Sequence, residues 1–241
     1  YTHSWNGKYR RGADLWTPNY NVPMQDSLLW VYEGQTQYWG NVLAARSGMR
    51  PMEASRDALA MVVATYADNR PGLGWRNVQD TTNDPIIAAR APRAYRNYQM
   101  SEDYYRAGQL IWLEADALIR NGTKNRKSLD DFARAFFGVN DGEWKVQNTY
   151  TFEDVVATLD GVMAHDWATF LRERLDGKVP LTGGIEAAGW KLVYKDEPSA
   201  LAKSWGGSGG DFVYSLGLSL GKDGGVSDVR WDSPAFNAGL G

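Results

Sequence analysis

The sequence contains no cysteine, which removes disulfides, thiolate metal ligands and cysteine nucleophiles together. Any metal must therefore be held by His, Asp or Glu, and histidine is scarce too: His3 and His165 are the two present. No block of Lys and Arg stands out and the net charge is only −3, so neither a nucleic-acid groove nor an anionic membrane surface has electrostatic support. The longest apolar run, around Ala58 to Ala64, is far short of the roughly 20 residues that a membrane span needs. The chain starts at Tyr1 rather than Met and shows no signal peptide, so the expectation is an internal piece of a longer protein.

What is present suffices for a substantial core: 241 residues, 43% of them hydrophobic and 23% charged. The pattern is mainly helical. Residues 1–26, with Pro18 and Pro23, read as the end of a helix and a long loop. Asp26 or Ser27 caps a predicted helix over 28–45, and a second follows Pro51 over 53–66. Residues 69–99 read as irregular and as a functional or covering segment. Ser101 opens a helix to about 120 whose stripe of Tyr105, Ile111, Trp112, Ala115, Leu118 and Ile119 has the helical period, with Gly108 on the same face allowing close approach of a neighbour. Ser128 with Asp131, and Thr151 with Asp154, have capping-box spacing. A short helix over 167–175 ends at Gly177.

After Pro180 the character changes. Trp190, Leu192 and Tyr194 alternate as a strand does, the run from Trp205 to Asp211 has the composition of a flexible hinge, and residues 212–220 and 226–231 read as further strands. Domain boundaries follow: a helical body over 1–195, a Gly/Ser-rich linker over 196–210, and a small β module over 211–241.

Two segments carry chemistry, Tyr1-Thr2-His3-Ser4-Trp5-Asn6 and Leu29-Trp30-Val31-Tyr32-Glu33-Gly34. Zinc peptidases of the His-Glu-x-x-His type place two histidines on one helix face and take a third ligand, often Glu, from a separate helix. His3 fits the second histidine, or else is an ordinary packed histidine. Glu33, set among rings and aliphatics, needs a partner, since burying an isolated carboxylate is costly; on the residues alone the plain reading is an arginine such as Arg90 or Arg93, with a metal ion as the alternative. His165, ahead of Asp166-Trp167, reads as structural.

His-Ser-Trp-Asn-x-Lys from His3, then Tyr-Glu-Gly-x-Thr-x-Tyr from Tyr32, followed by Tyr104-Tyr105-Arg106-Ala107-Gly108, Ser128-Leu129-Asp130-Asp131, Thr151-Phe152-Glu153-Asp154 and Asp166-Trp167, resembles the glycyl aminopeptidase family of gluzincins. The ordered set ends in Val229-x5-Pro234-Ala235-x3-Gly239-Leu240, which resembles a PDZ module. The resemblance implies the C-terminal helical lobe of a thermolysin-like catalytic domain, followed by a partial PDZ domain that stops short of its remaining strands and leaves strand edges unpaired. It implies zinc held by His3 and Glu33, with the first histidine and the catalytic Glu just ahead of Tyr1. Tyr105 matches an oxyanion-stabilising tyrosine, although Ala107 stands where relatives have Lys. Gln37, one turn after Glu33, matches a position that orients a histidine ligand, and Asn6 and Lys8 line the cleft. Ser215, Leu216, Gly217 and Leu218 match a PDZ carboxylate-binding loop and its strand.

The resemblance further implies hydrolysis of small N-terminal residues, Gly or Ala, from peptide substrates, a periplasmic rather than cytoplasmic location, and no activity for a piece lacking part of the motif. Two other readings stay open: a non-catalytic scaffold that binds peptide C-termini, and a helical interaction domain in which Glu33 pairs with an arginine.

Overall fold

The computed structural model describes residues 1–84, 94–143, 147–204 and 210–240. About half of it is helical, with two small sheets. The longer helices are α1 (Gln35–Arg46), α2 (Met52–Asp68), α3 (Arg106–Thr123), α4 (Leu129–Phe137), α5 (Phe152–Val162) and α6 (Trp167–Leu175). The strands are β1 (Arg10–Gly12), β2 (Asn148–Tyr150), β3 (Gly210–Phe212), β4 (Leu218–Leu220) and β5 (Val226–Val229).

Contacts divide the chain into two units that do not follow chain order. The first comprises Tyr1–Val42, Asn77–Asp84 and Glu102–Lys191; the second comprises Leu43–Arg76, Pro85–Ser101 and Leu192–Gly241. Residues 43–76, read as part of one helical body, thus group with the C-terminal strands.

In the first unit α3 is the central element. Ala107, Leu110, Ile111, Trp112, Ala115 and Ile119 are all buried. The capping boxes form as their spacing requires. Ser128 and Thr151 each start a helix, with Asp131 and Asp154 returning the hydrogen bond to the cap residue's own N–H. A buried ion pair fastens α6 to α3: Arg174 grips Glu114 through two bonds of 2.8 and 2.6 Å. Residues 1–26 differ from the expected helix end and loop. A 3-10 turn at Thr2–Ser4 leads into β1, which pairs in parallel with β2, Arg10 opposite Asn148. Arg10 holds that pairing by bonding the carbonyls of Phe136 and Thr149 while stacking over the Phe136 ring.

In the second unit, β3, β4 and β5 form an antiparallel sheet with β4 in the middle. Leu218 and Val229 bury against Ala235, with Tyr95, Leu220 and Phe236 packed around them. The predicted strand through Trp190, Leu192 and Tyr194 is absent. Residues 190–195 have no regular structure, and Trp190 and Tyr194 are more than half exposed. The alternation there has no neighbouring strand to pair with, so the side chains pack individually; Tyr194 instead bonds Asp68 and lies against Tyr214. The expected strand over 212–220 is broken by a turn at 213–216, giving β3 and β4. Most of the hinge, 205–209, lies outside the described residues.

Candidate functional site

The segment carrying Glu33 is not an ordinary helix start. Trp30–Gly34 forms a single π-helical turn that runs directly into α1. Such insertions are rare and recur at functional sites because they change which way a side chain points relative to the regular helix. Here the turn is pinned from α3: the Trp112 indole N–H donates to the Trp30 carbonyl at 3.0 Å, and the two indoles stack at 5.7 Å.

A glycine pair brings the π turn and α3 into backbone contact. A Cβ on Gly34 would sit 2.7 Å from the Gly108 Cα and 2.8 Å from the Tyr104 carbonyl; one on Gly108 would sit 2.8 Å from the Gly34 Cα. The closeness that Gly108 permits is thus used by Gly34, and it sets Tyr105 beside Glu33. Because the obstructing atoms are backbone, they cannot swing away. Gly34→Ala is expected to cost about 1–3 kcal/mol. Gly40, on the exposed side of α1 with no atom within 4 Å of its would-be Cβ, is the internal control. Gly40→Ala is expected to stabilise by roughly 0.5–1 kcal/mol. Urea unfolding of the two variants checks the opposite signs.

His3 arrives from the N-terminal 3-10 turn. Its Nε2 lies 3.2 Å from Glu33 Oε2, and its Nδ1 lies 2.9 Å from the Asn6 carbonyl oxygen. A carbonyl can only accept, so Nδ1 is the donor in that bond and its proton is committed. Nε2 of the neutral ring then presents a lone pair to a carboxylate oxygen. Two acceptors at that separation need a cation between or on them, either a proton or a metal ion. The Tyr105 hydroxyl lies near enough to the Glu33 carboxylate for the two groups to perturb each other's protonation.

The surroundings disfavour negative charge at this point. Burial pushes the Glu33 carboxyl above its usual range, opposed by the nearby His3 and Tyr105, and the Glu102 carboxylate adds to the upward push. Burial, then the charge of Glu33, holds the Tyr105 phenol far above its ordinary value, so it stays a donor. Its ring stacks on Tyr104 at 4.9 Å, and the Tyr104 phenol is raised by burial and by several surrounding carboxylates.

The spacing of His3 and Glu33 is one that two zinc ligands could have. A histidine nitrogen and a carboxylate oxygen, each about 2.0–2.2 Å from a tetrahedral zinc, stand roughly 3.3 Å apart; the observed 3.2 Å agrees. Among the described residues there is no group of three or more His, Cys, Asp or Glu able to hold a metal.

The other residues singled out in the sequence sit as follows. Gln37 is half-buried, and the Nδ1 proton of His3 goes to the Asn6 main chain. Lys8 is exposed. Asn6 does not line a cleft; it is fully buried, with its side-chain amide directed at the π turn. The π turn was not legible from the sequence, and Asn6, expected to line the cleft, lies buried behind it. His165 is exposed, packs edge-on against Trp167 at 4.9 Å, and takes no part in the cluster. Arg90 and Arg93 lie outside the described residues.

The loop at 215–218 differs from the expected carboxylate receptor. The Ser215 and Gly217 N–H groups both bond the Phe212 carbonyl, at 3.1 and 2.8 Å. Leu218 begins β4, which is paired on both edges, so that strand has no open side for an added peptide. The outer edges of β3 and β5 have no strand partner among the described residues.

Comparison with known proteins gives a match over the N-terminal part of the chain. Residues 1–111 match the family model of the M61 glycyl aminopeptidases. The matched stretch contains His3, Asn6, Glu33, Gln37, Tyr105 and Gly108, so the resemblance read from these motifs is supported where they lie. A solved structure of an aminopeptidase N family protein from Idiomarina loihiensis aligns with all of this chain at a TM-score of 0.62 and 19% identity, a likeness in fold. The chain spans 41% of the length of that protein. No curated protein matches it.

Proposed function

We propose that this chain is part of a zinc-dependent aminopeptidase that removes small N-terminal residues, Gly or Ala, from peptides. The observation that carries the reading is the His3–Glu33 pair: two acceptors 3.2 Å apart, one with its other nitrogen already committed, in a place where burial and neighbouring carboxylates disfavour further negative charge. The match of residues 1–111 to the M61 glycyl aminopeptidases gives that pair its chemical context. In this reading His3 and Glu33 are two of three metal ligands.

Bound zinc supplies a Lewis acid that polarises the scissile carbonyl and lowers the pKa of a bound water. The residues of this chain do the rest. The Glu33 carboxylate offsets part of the metal charge while an open position remains. His3 offers Nε2 as a lone pair because its other nitrogen is held as a donor. Tyr105, kept protonated by its surroundings, turns its O–H towards the carbonyl oxygen as negative charge develops there, a contribution made only in the transition state.

The test is hydrolysis of Gly- and Ala-anilides by the intact protein. The expected result is activity that a chelator abolishes and zinc restores, with larger N-terminal residues poorer substrates. Activity indifferent to chelation would remove the metal from this reading.

A further inference from the structure

We infer that Asn6 is a positioning residue that locks His3 and Glu33 into one constellation, acting on one through its main chain and on the other through its side chain. The inference rests on the reading of these two residues as ligands, but its geometry stands apart from it.

Asn6 is completely buried. Its carbonyl oxygen accepts the Nδ1 proton of His3 at 2.9 Å. Its side-chain nitrogen reaches the carbonyls of Val31 at 3.0 Å and Tyr32 at 3.1 Å, the two residues immediately ahead of Glu33, and the Thr36 hydroxyl at 3.2 Å. The orientation of the amide is fixed by chemistry. Two of the three partners are carbonyls, and the Thr36 hydroxyl spends its own proton on the Tyr32 carbonyl at 2.6 Å, so it too can only accept. Reversing the amide would set an oxygen against three acceptors. The Asn6 Oδ1 is meanwhile buried without a partner, a burden that a purely structural filler would not impose, since an apolar side chain fills space without it.

The consequence is a direct coupling. The main-chain bond dictates which imidazole nitrogen keeps a proton, and the side-chain bonds fix the distance from that imidazole to the π turn carrying the carboxylate. Partners that orient a ligating histidine are commonly carboxylates or main-chain carbonyls; here the carbonyl is itself tethered to the turn that presents the second ligand. Gly7 supports the arrangement. It follows Asn6 with φ of 111°, and a Cβ there would meet the Tyr32 ring at 2.3 Å, so the chain can pass close over the π turn.

The experiment uses the intact protein labelled with ¹⁵N-histidine, with His3→Gln identifying the His3 signals. In the wild type the Nδ1 nitrogen is expected to stay protonated on both sides of neutral pH. In Asn6→Ala that uniform protonation is lost, and zinc affinity, read by competition with a chelating dye, falls roughly 10–100-fold. Thr36→Val, a milder change that removes one acceptor, gives a smaller shift in the same direction. Ser128→Ala, which strips the cap of α4, lowers stability and leaves both readouts unchanged. A wild-type Nδ1 that gives up its proton in favour of Nε2 overturns the inference, whether or not Asn6→Ala folds. So does a folded Asn6→Ala with wild-type His3 signals and zinc affinity. If the His3 signals behave as stated but no variant binds zinc, the positioning role stands and the metal reading fails.

Discussion

Glu33→Ala is expected to abolish zinc-dependent hydrolysis, with a loss of metal affinity exceeding the roughly 10–100-fold that removal of an outer-shell partner brings. The reason is the donor count. A catalytic zinc needs three protein ligands and one open position, and this chain contributes two of them in the proposed site, His3 and Glu33. Removing the carboxylate also withdraws the negative charge that offsets the ion. Without metal the change has a different sign. The half-buried carboxylate is disfavoured as an anion by its surroundings, so Glu33→Gln, which keeps the shape without the charge, is expected to leave metal-free stability unchanged or raise it. Zinc at 100 times its dissociation constant stabilises a folded protein by about 2.7 kcal/mol. Thermal unfolding with and without zinc should therefore show an increment in the wild type that Glu33→Gln lacks. An equal increment in both would dissociate Glu33 from the metal.

Tyr105→Phe is expected to lower kcat about 10²–10³-fold while KM and zinc affinity change little. The phenol is held protonated by burial and by the neighbouring Glu33 charge. The substitution removes one hydroxyl and keeps the ring that stacks on Tyr104. If the hydroxyl served only to orient Glu33, zinc affinity would fall and turnover per bound zinc would be preserved. Single-turnover kinetics at saturating zinc separate the two roles.

The features legible in the sequence are those written in short-range chemistry. The Ser128 and Thr151 capping boxes, the stop at Gly177 and the apolar stripe of α3 depend on residues a few positions apart, and the structure contains each of them. The π turn was invisible because it is enforced from α3, through Gly108 and Trp112, more than 70 positions away. Asn6 was misjudged for the same reason: its partners lie 25 to 30 residues further on. At 190–194 the alternation of large apolar residues matched a strand, but pairing is a long-range property, and among the described residues no strand lies beside this segment. The closeness of His3 and Glu33 could not be read from spacing either. It was implied by family resemblance, and the coordinates place the two groups in contact.

The most direct test is anomalous diffraction at the zinc edge from crystals of the intact protein. The account predicts a single strong peak bonded to both His3 Nε2 and Glu33 Oε2, with the Nδ1 bond to the Asn6 carbonyl retained. A zinc-loaded protein whose peak lies elsewhere, with His3 and Glu33 still bonded directly to each other, would contradict it.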